Sequence, residues 1–407
     1  MSAHQIPPAV EPASPGWWAL TSAGEPFRLL FPLGSAIGIV GVTLWPLFVW
    51  NVIAVYPGPF HARVMIEGFL TAFVIGFLGT ALPRLLGVPR LTGVETLGFA
   101  TALVAITLLH VTGRTLAGDS VFLLTILALI ALLGIRALRF RRDVPPPGFV
   151  LVLLGLCCAL TGSASQILAL RPNLDLPGWA APLGRLLLLQ GYLLFPIMGV
   201  GAFFLPRFFG LPNRQSFPES TALPPGWLSR AGFAMACGAI VLAGFVVEAL
   251  GEPRWGNGLR AAGILVYLTR EVPLQRAGLR GGSLSLGLRL ALLSIPLAYG
   301  LMAAWPGRTF SFLHVLYISG FSLLTFIVAS RVVLGHSGQS HRFDDSLKAV
   351  WVLVGLIVLA MLTRVTADWM PDSRMIHYAY AALTWTAGVI VWAIGILRGV
   401  RLPDSDS

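Results

Sequence analysis

The feature that most constrains this chain is a series of twelve apolar runs, eleven of which contain 20 or more residues. A helix needs about 20 apolar residues to cross the hydrocarbon core of a membrane. Only 11% of the residues are charged, against about 25% in a soluble domain, so the chain has too little polar surface to be covered by water. We therefore predict an all-α polytopic membrane protein of about twelve transmembrane helices, surrounded by the lipid bilayer. The predicted spans are residues 29–54, 62–86, 93–113, 119–139, 147–170, 180–204, 231–250, 257–270, 284–305, 310–334, 347–366 and 375–397.

The charge of the chain indicates how it is oriented in the membrane. A net charge of +11 would favour nucleic acid as a partner of a soluble protein, but here the basic residues lie in loops and at helix ends. Twelve spans put 19 Lys and Arg on the side of the two termini and 9 on the other side. Because basic residues stay in the cytoplasm, both termini are predicted to be cytoplasmic, in the inner (plasma) membrane. This interpretation excludes a nucleic-acid partner. It divides the chain into a tail at 1–28, one helix bundle at 29–398 and a tail at 399–407.

The eighth run, residues 257–270, leaves an alternative open. It is short and is bounded by Arg260 and Arg270, so it could also lie at the membrane interface. Without this span the later loops change sides, and the basic residues divide 13 against 15. The charge rule therefore favours twelve spans.

Three helix ends look alike and predict an internal repeat. The second and sixth spans end in L-P-R-L-L-G-V-P and L-P-R-F-F-G-L-P, and the tenth ends more loosely in S-R-V-V-L-G-H. Their arginines, Arg84, Arg207 and Arg331, are 123 and 124 residues apart, and each interval covers four spans. An even number of spans keeps successive units in one orientation. We therefore predict three parallel four-helix repeats, at about 29–143, 144–272 and 283–398. The alternative role for each arginine is an anchor that reaches the lipid headgroups.

Five histidines of the bundle are candidate ligands. His61, His110, His314 and His377 fall at or near the outer side of the membrane, and His336 lies at the cytoplasmic end of the tenth span. Imidazole is the usual axial ligand of a b-type haem and also binds copper. Ionisable groups inside a membrane are costly, so their presence indicates a functional site. The alternative is that each imidazole is only hydrogen-bonded within the bundle.

Glu67 lies more than one turn inside the second span. It has no carboxylate partner three or four residues away in sequence, so we expect no paired-acid site there. We expect Glu67 to take part in proton movement or to pair with a basic group.

Three segments resemble the NnrS family of membrane proteins. F-H-A-R-V-M-I-E-G-F at 60–69 is similar to that family's W-H-A-H-E-M-x-F-G-F opening. The segment from His314 to S-R-V-V-L-G-H-S-G at 330–338 resembles its H…SRVSLGHTG segment, and residues 199–209 resemble G-G-R-x-I-P-F-F. Arg63, Val64 and Ala202 stand where the family has His, Glu and Arg.

The resemblance implies a haem- and copper-containing protein associated with the response to nitric oxide and nitrosative stress. The histidines that match by position are His61, His314 and His336. Our predicted sites are haem b at His61, His314 and His377, and a metal, with copper as the candidate, at His336 and His110. Glu67, Arg84, Arg207 and Arg331 are further candidate residues. The alternatives are a multi-pass transporter and a membrane scaffold without a cofactor, and no catalytic reaction is indicated.

Overall fold

The computed structural model describes residues 16–171, 174–276, 278 and 282–404. These residues contain no strand; they form twelve long helices and a short helix, Trp17–Ser22, ahead of the first. The long helices are α1 Phe27–Val49, α2 Gly58–Leu86, α3 Gly93–Val111, α4 Thr115–Phe140, α5 Phe149–Ala169, α6 Ala180–Phe208, α7 Trp227–Ala249, α8 Pro253–Glu271, α9 Ser283–Ala304, α10 Pro306–Gly335, α11 Lys348–Trp369 and α12 Pro371–Arg401.

Within this part of the chain, eleven of the long helices are long and apolar enough to cross a membrane. This confirms the predicted all-α polytopic membrane fold. The exception is α8, the helix that was ambiguous in the sequence. It contains 19 residues, as many as α3, and it packs between α7 and α9. Its length therefore suits a span, and its polar residues are what separate it from the other eleven.

The connection from α2 to α3 shows how local sequence sets the helix ends. Gly87 follows α2 with a φ of +62°, a left-handed conformation that glycine adopts without a steric cost. Thr92 then caps α3: its side chain accepts from the Glu95 backbone N–H, and the Glu95 carboxylate accepts from the Thr92 N–H at 2.8 Å. This reciprocal capping box satisfies two backbone donors that the first turn of a helix leaves free.

Three of the long helices are interrupted in the same way. Each of α2, α6 and α10 contains a π-helical segment in its first half, at Val64–Leu70, Leu187–Gly191 and Val315–Ser322. Short π segments occur frequently at functional sites because the extra residue shifts the side chains that follow. The threefold repeat stays a prediction, and this shared interruption supports it.

The order in which the helices pack also agrees with a repeat. Within the described chain, the first helix of each predicted unit packs on the last helix of another unit: α1 on α12, α5 on α4 and α9 on α8. The chain therefore closes on itself. The helices α2, α6 and α10 are buried over 78%, 72% and 61% of their most apolar stretch, against 28% for α4. Residues of these three helices line one apolar cavity, together with Phe31 of α1.

Candidate functional site

His61 follows the first turn of α2 and uses one ring nitrogen on the backbone. Its Nδ1 lies 2.9 Å from the carbonyl oxygen of Gly41 in α1, and its ring packs edge-on against Trp45 at 5.8 Å. Because a carbonyl only accepts hydrogen bonds, Nδ1 carries the hydrogen and the neutral ring keeps a lone pair on Nε2. Metal-binding histidines are held in this way, with one nitrogen donating to the protein and the other facing the metal.

His314 and His377 repeat this arrangement. The Nδ1 of His314 lies 2.9 Å from the Phe310 carbonyl oxygen, and that of His377 lies 3.0 Å from the Ser373 carbonyl oxygen. In both cases the backbone acceptor is one helical turn earlier. All three predicted haem histidines therefore present Nε2 as the nitrogen available to a ligand.

Arg364 of α11 connects two of these histidines. Its guanidinium lies 5.1 Å from the Phe310 ring, which contacts the His314 ring. On its other side it stacks on Tyr378, whose ring contacts Trp45 beside the His61 ring. The guanidinium stacks 3.8 Å from the centre of the Tyr378 ring and lies 3.3 Å from a carboxylate oxygen of Asp368. Its Nη2 is buried and has no hydrogen-bond partner. A buried donor without a partner is costly, so this nitrogen is suited to a ligand anion.

A second polar cluster lies wholly inside the bundle, on α2, α3 and α4. The Nε2 of His110 is 2.9 Å from a Glu67 carboxylate oxygen and 3.8 Å from an Asp119 carboxylate oxygen, and all three side chains are completely buried. Arg63 donates from Nε to Asp119 at 2.8 Å. Glu67 has no carboxylate partner on its own helix, but an Asp119 oxygen from α4 lies within 4.8 Å of it, so the expectation of no paired-acid site is wrong. The expected pairing with a basic group is present, with His110.

A third cluster lies at the other end of the bundle, around Glu25. The Glu25 carboxylate pairs with Arg28 at 2.5 Å, with Nδ1 of His336 at 2.9 Å and with Arg84. Burial by itself raises the pKa of Glu25, but the hydrogen bond and charge of His336, followed by those of Arg28, outweigh burial and lower it to about 2. Both ring nitrogens of His336 also lie within 3.0 Å of Arg84 Nη1. This guanidinium opposes a metal cation at His336.

The two other repeat arginines stack on aromatic rings instead. The Arg207 guanidinium lies 4.2 Å from the centre of the Phe203 ring. Arg331 lies 4.2 Å from the Phe208 ring and 4.8 Å from the Phe343 ring. These cation–π contacts are compatible with the anchor role, whereas Arg84 belongs to an ionic cluster.

The polar clusters occupy corresponding positions in the predicted repeat. Glu67, Gln190 and His314 each lie 17 residues before the repeat arginine of their helix. Gln190 accepts from the buried Arg260 of α8 at 3.2 Å, and Arg260 also pairs with Glu248 of α7. Each unit thus has a polar residue near its π segment that faces ionisable side chains of the same bundle.

The sequence-based predictions do not include Asp119, Arg364 or Asp368. Each is an ionisable residue within two turns of a helix end, where a charged side chain is easily taken for an interfacial one. Their contacts depend on how the helices pack, and Asp119 is 52 residues from Glu67 in sequence. A charged residue inside an otherwise apolar run was the available signal.

Comparison with known proteins places the chain in a family. The family model described as NnrS protein matches residues 22–400, which is nearly the whole chain. The chain belongs to the NnrS family. Membership confirms the resemblance seen in the histidine segments. No curated protein matches the chain significantly.

Proposed function

We propose that this NnrS protein binds haem b through His61 and His314 and takes part in the cellular response to nitric oxide. The observation that carries the proposal is the pair of imidazoles, each with Nδ1 on a backbone carbonyl and Nε2 free, beside the unpaired Nη2 of Arg364. Histidine Nε2 is the usual axial ligand of a b-type haem. Haem also carries two carboxylates, and a guanidinium with a free donor suits a carboxylate.

The residues have separate roles in this proposal. His61 and His314 would hold the haem iron through Nε2, and the bonds from Nδ1 to Gly41 and Phe310 fix the orientation of their rings. Arg364 would bind a propionate, held in place by its stacking on Tyr378. A bound haem would supply the affinity for nitric oxide, which would take the place of one of the two imidazoles. His377 is the alternative ligand from α12, because its Nε2 is available in the same way.

Copper is the second metal that family resemblance implies. Arg84 next to the His336 ring argues against that position. His110 faces two carboxylates, and this set offers no thiolate or thioether for Cu(I). A copper ion would therefore need histidines other than His61 and His314, which the haem would use.

The test is an optical spectrum of the detergent-solubilised protein from cells supplied with iron and a haem precursor. We expect a Soret band that shifts when nitric oxide is added. His61→Ala and His314→Ala should each lower haem content or change this spectrum, while His341→Ala, in an exposed loop, should not. Arg364→Gln should lower haem retention more than Arg308→Gln, which changes an exposed arginine of the same region.

Two outcomes contradict the proposal. One is wild-type protein without haem under these conditions, which favours the transporter or the scaffold. The other is an unchanged spectrum in both histidine variants, which moves the ligands elsewhere, with His377 next.

A further inference from the structure

We propose that Glu67, His110 and Asp119 form a binding site for one divalent transition-metal ion, of the Zn²⁺ class, inside the bundle and separate from the haem site. One imidazole nitrogen and two carboxylates form the ligand set. The site is independent of the proposed function, since it shares no residue with the haem site. Its evidence is geometry, charge and two buried atoms without partners.

Geometry comes first. One ligand atom from each of the three side chains lies within 4.8 Å of the other two. The distances from His110 Nε2 are 2.9 Å to Glu67 and 3.8 Å to Asp119. Zinc bonds to nitrogen and oxygen are about 2.0–2.2 Å, which places tetrahedral ligand atoms roughly 3.3–3.6 Å apart. The two observed distances lie on either side of this range, so small side-chain rotations suffice.

The charges of the cluster are unbalanced. Glu67 and Asp119 can carry two negative charges, whereas Arg63 supplies one positive charge in direct contact. An unpaired charge buried away from water is strongly unfavourable, so the cluster holds either a proton or a further cation. A divalent ion would neutralise both carboxylates. Arg63 is 19% exposed at its side chain, so it can move toward the aqueous edge when the ion binds.

Two buried atoms of the cluster have no hydrogen-bond partner. Oε1 of Glu67 and Nδ1 of His110 are buried without a hydrogen bond, on side chains that are themselves completely buried. The free Oε1 gives Glu67 a second oxygen for the ion. Gly118 lies against the His110 ring, where an added Cβ would come within 2.4 Å of it. The absence of a side chain at 118 lets the imidazole face the carboxylates.

The ligand types select the class of ion. Imidazole with carboxylate oxygens suits divalent ions such as Zn²⁺, Fe²⁺, Mn²⁺ or Cu²⁺, and the set contains no thiolate for Cu(I). Zn²⁺ is the probe of choice because it has no redox chemistry and no absorption that would overlap a haem band.

The experiment equilibrates the full-length, solubilised protein with Zn²⁺, removes free ion by desalting, and measures bound metal by mass spectrometry. We expect about one Zn²⁺ per wild-type chain. Glu67→Gln, Asp119→Asn and His110→Gln should each weaken binding about tenfold or more, because each removes one ligand. Glu95→Gln is the matched control, since that carboxylate is also paired with an arginine, Arg136, but lies outside the cluster.

Arg63→Gln separates a metal site from an ion-pair network. Removing this positive charge should strengthen Zn²⁺ binding roughly tenfold or more, since it no longer repels the ion. Zn²⁺ should also raise the unfolding temperature of the wild type and of Arg63→Gln but not of Glu67→Gln. The unfolding temperature also shows whether a ligand variant binds less Zn²⁺ only because it folds poorly.

The proposal is overturned if the wild type retains no Zn²⁺, or if the ligand variants retain as much as the Glu95→Gln control. Weaker binding by Arg63→Gln would also overturn it. Each of these results leaves the cluster as a hydrogen-bonded network that holds a proton.

Discussion

Several buried ionisable side chains of this protein pair with a group of opposite charge. Glu25 is the clearest case outside the spans, since one carboxylate receives Arg28, Arg84 and His336 from three different helices. Arg28 in turn donates to the carbonyl oxygens of Val400 and Leu402, each at 2.7 Å. This single cluster therefore ties the start of α1 to the ends of α2, α10 and α12.

The lowered pKa of Glu25 predicts how stability depends on pH. Because the carboxylate is more acidic in the folded protein than its ordinary value of 4.5, its ionised form stabilises the fold. This contribution is complete above pH 4.5 and is lost as the pH falls through about 2. The unfolding temperature of the solubilised wild type should therefore fall more steeply over this interval than that of Glu25→Gln.

Glu252→Gln is the control for this measurement, because Glu252 is exposed. It should follow the wild-type curve. Parallel curves for wild type and Glu25→Gln would show that the Glu25 cluster does not contribute to acid stability.

At the scale of elements, α8 shows how a polar helix can be accommodated in an apolar bundle. Its buried Arg260 pairs with Glu248 of α7, donates to the side-chain oxygen of Gln190 of α6 and lies 4.9 Å from the Tyr299 ring of α9. All these partners are on neighbouring helices, so the charge points into the protein and not toward lipid. Ionisable residues in membrane spans usually face the interior in this way.

Arg260→Met should destabilise the protein by about 3 kcal/mol, because it leaves Glu248 without its partner in a largely buried position. The double variant Arg260→Met/Glu248→Leu should recover most of this loss, since both charges are then absent. Denaturation of the solubilised protein measures both. Arg254→Met, at an exposed position of the same helix, should cost little. An Arg260→Met variant as stable as this control would contradict the role of the ion pair.

The sequence predicts these elements better than it predicts their interruptions and contacts. Run length and hydropathy identify eleven spans because crossing hydrocarbon demands both of them. The π segment at Val64–Leu70 has no such signature, since one extra residue per turn does not alter composition. Sequence spacing reveals only partners of Glu67 on its own helix, whereas Asp119 is on another helix and is brought near by packing. The three histidines of the haem proposal were found because imidazole is rare in this chain, whereas Arg364 was not distinguished among 28 basic residues.

At the scale of the whole molecule, contacts between chain ends limit the number of spans. Arg28, at the start of the first crossing, reaches Val400 and Leu402, at the end of the last one. Both ends of the described bundle are therefore on the same side, which requires an even number of crossings. Arg84, at the end of α2, contacts His336, directly after α10. The helices from α3 to α10 must therefore also make an even number of crossings. If all eleven apolar helices cross, a crossing by α8 makes both counts even.

This parity leads to a topology prediction. Reporters fused after Ser407 or inserted near Arg142 should both be cytoplasmic, and one near Pro371 should be external, because basic residues divide 19 against 9 in favour of that orientation. Paired reporters that are active only inside or only outside the cell measure each position. Two further insertions, near Gly251 and near Gly278, flank α8 and should give opposite signals. Equal signals at these two positions would place α8 at the interface. The chain ends would then lie on opposite sides of the membrane, and the contact between Arg28 and Leu402 could not form.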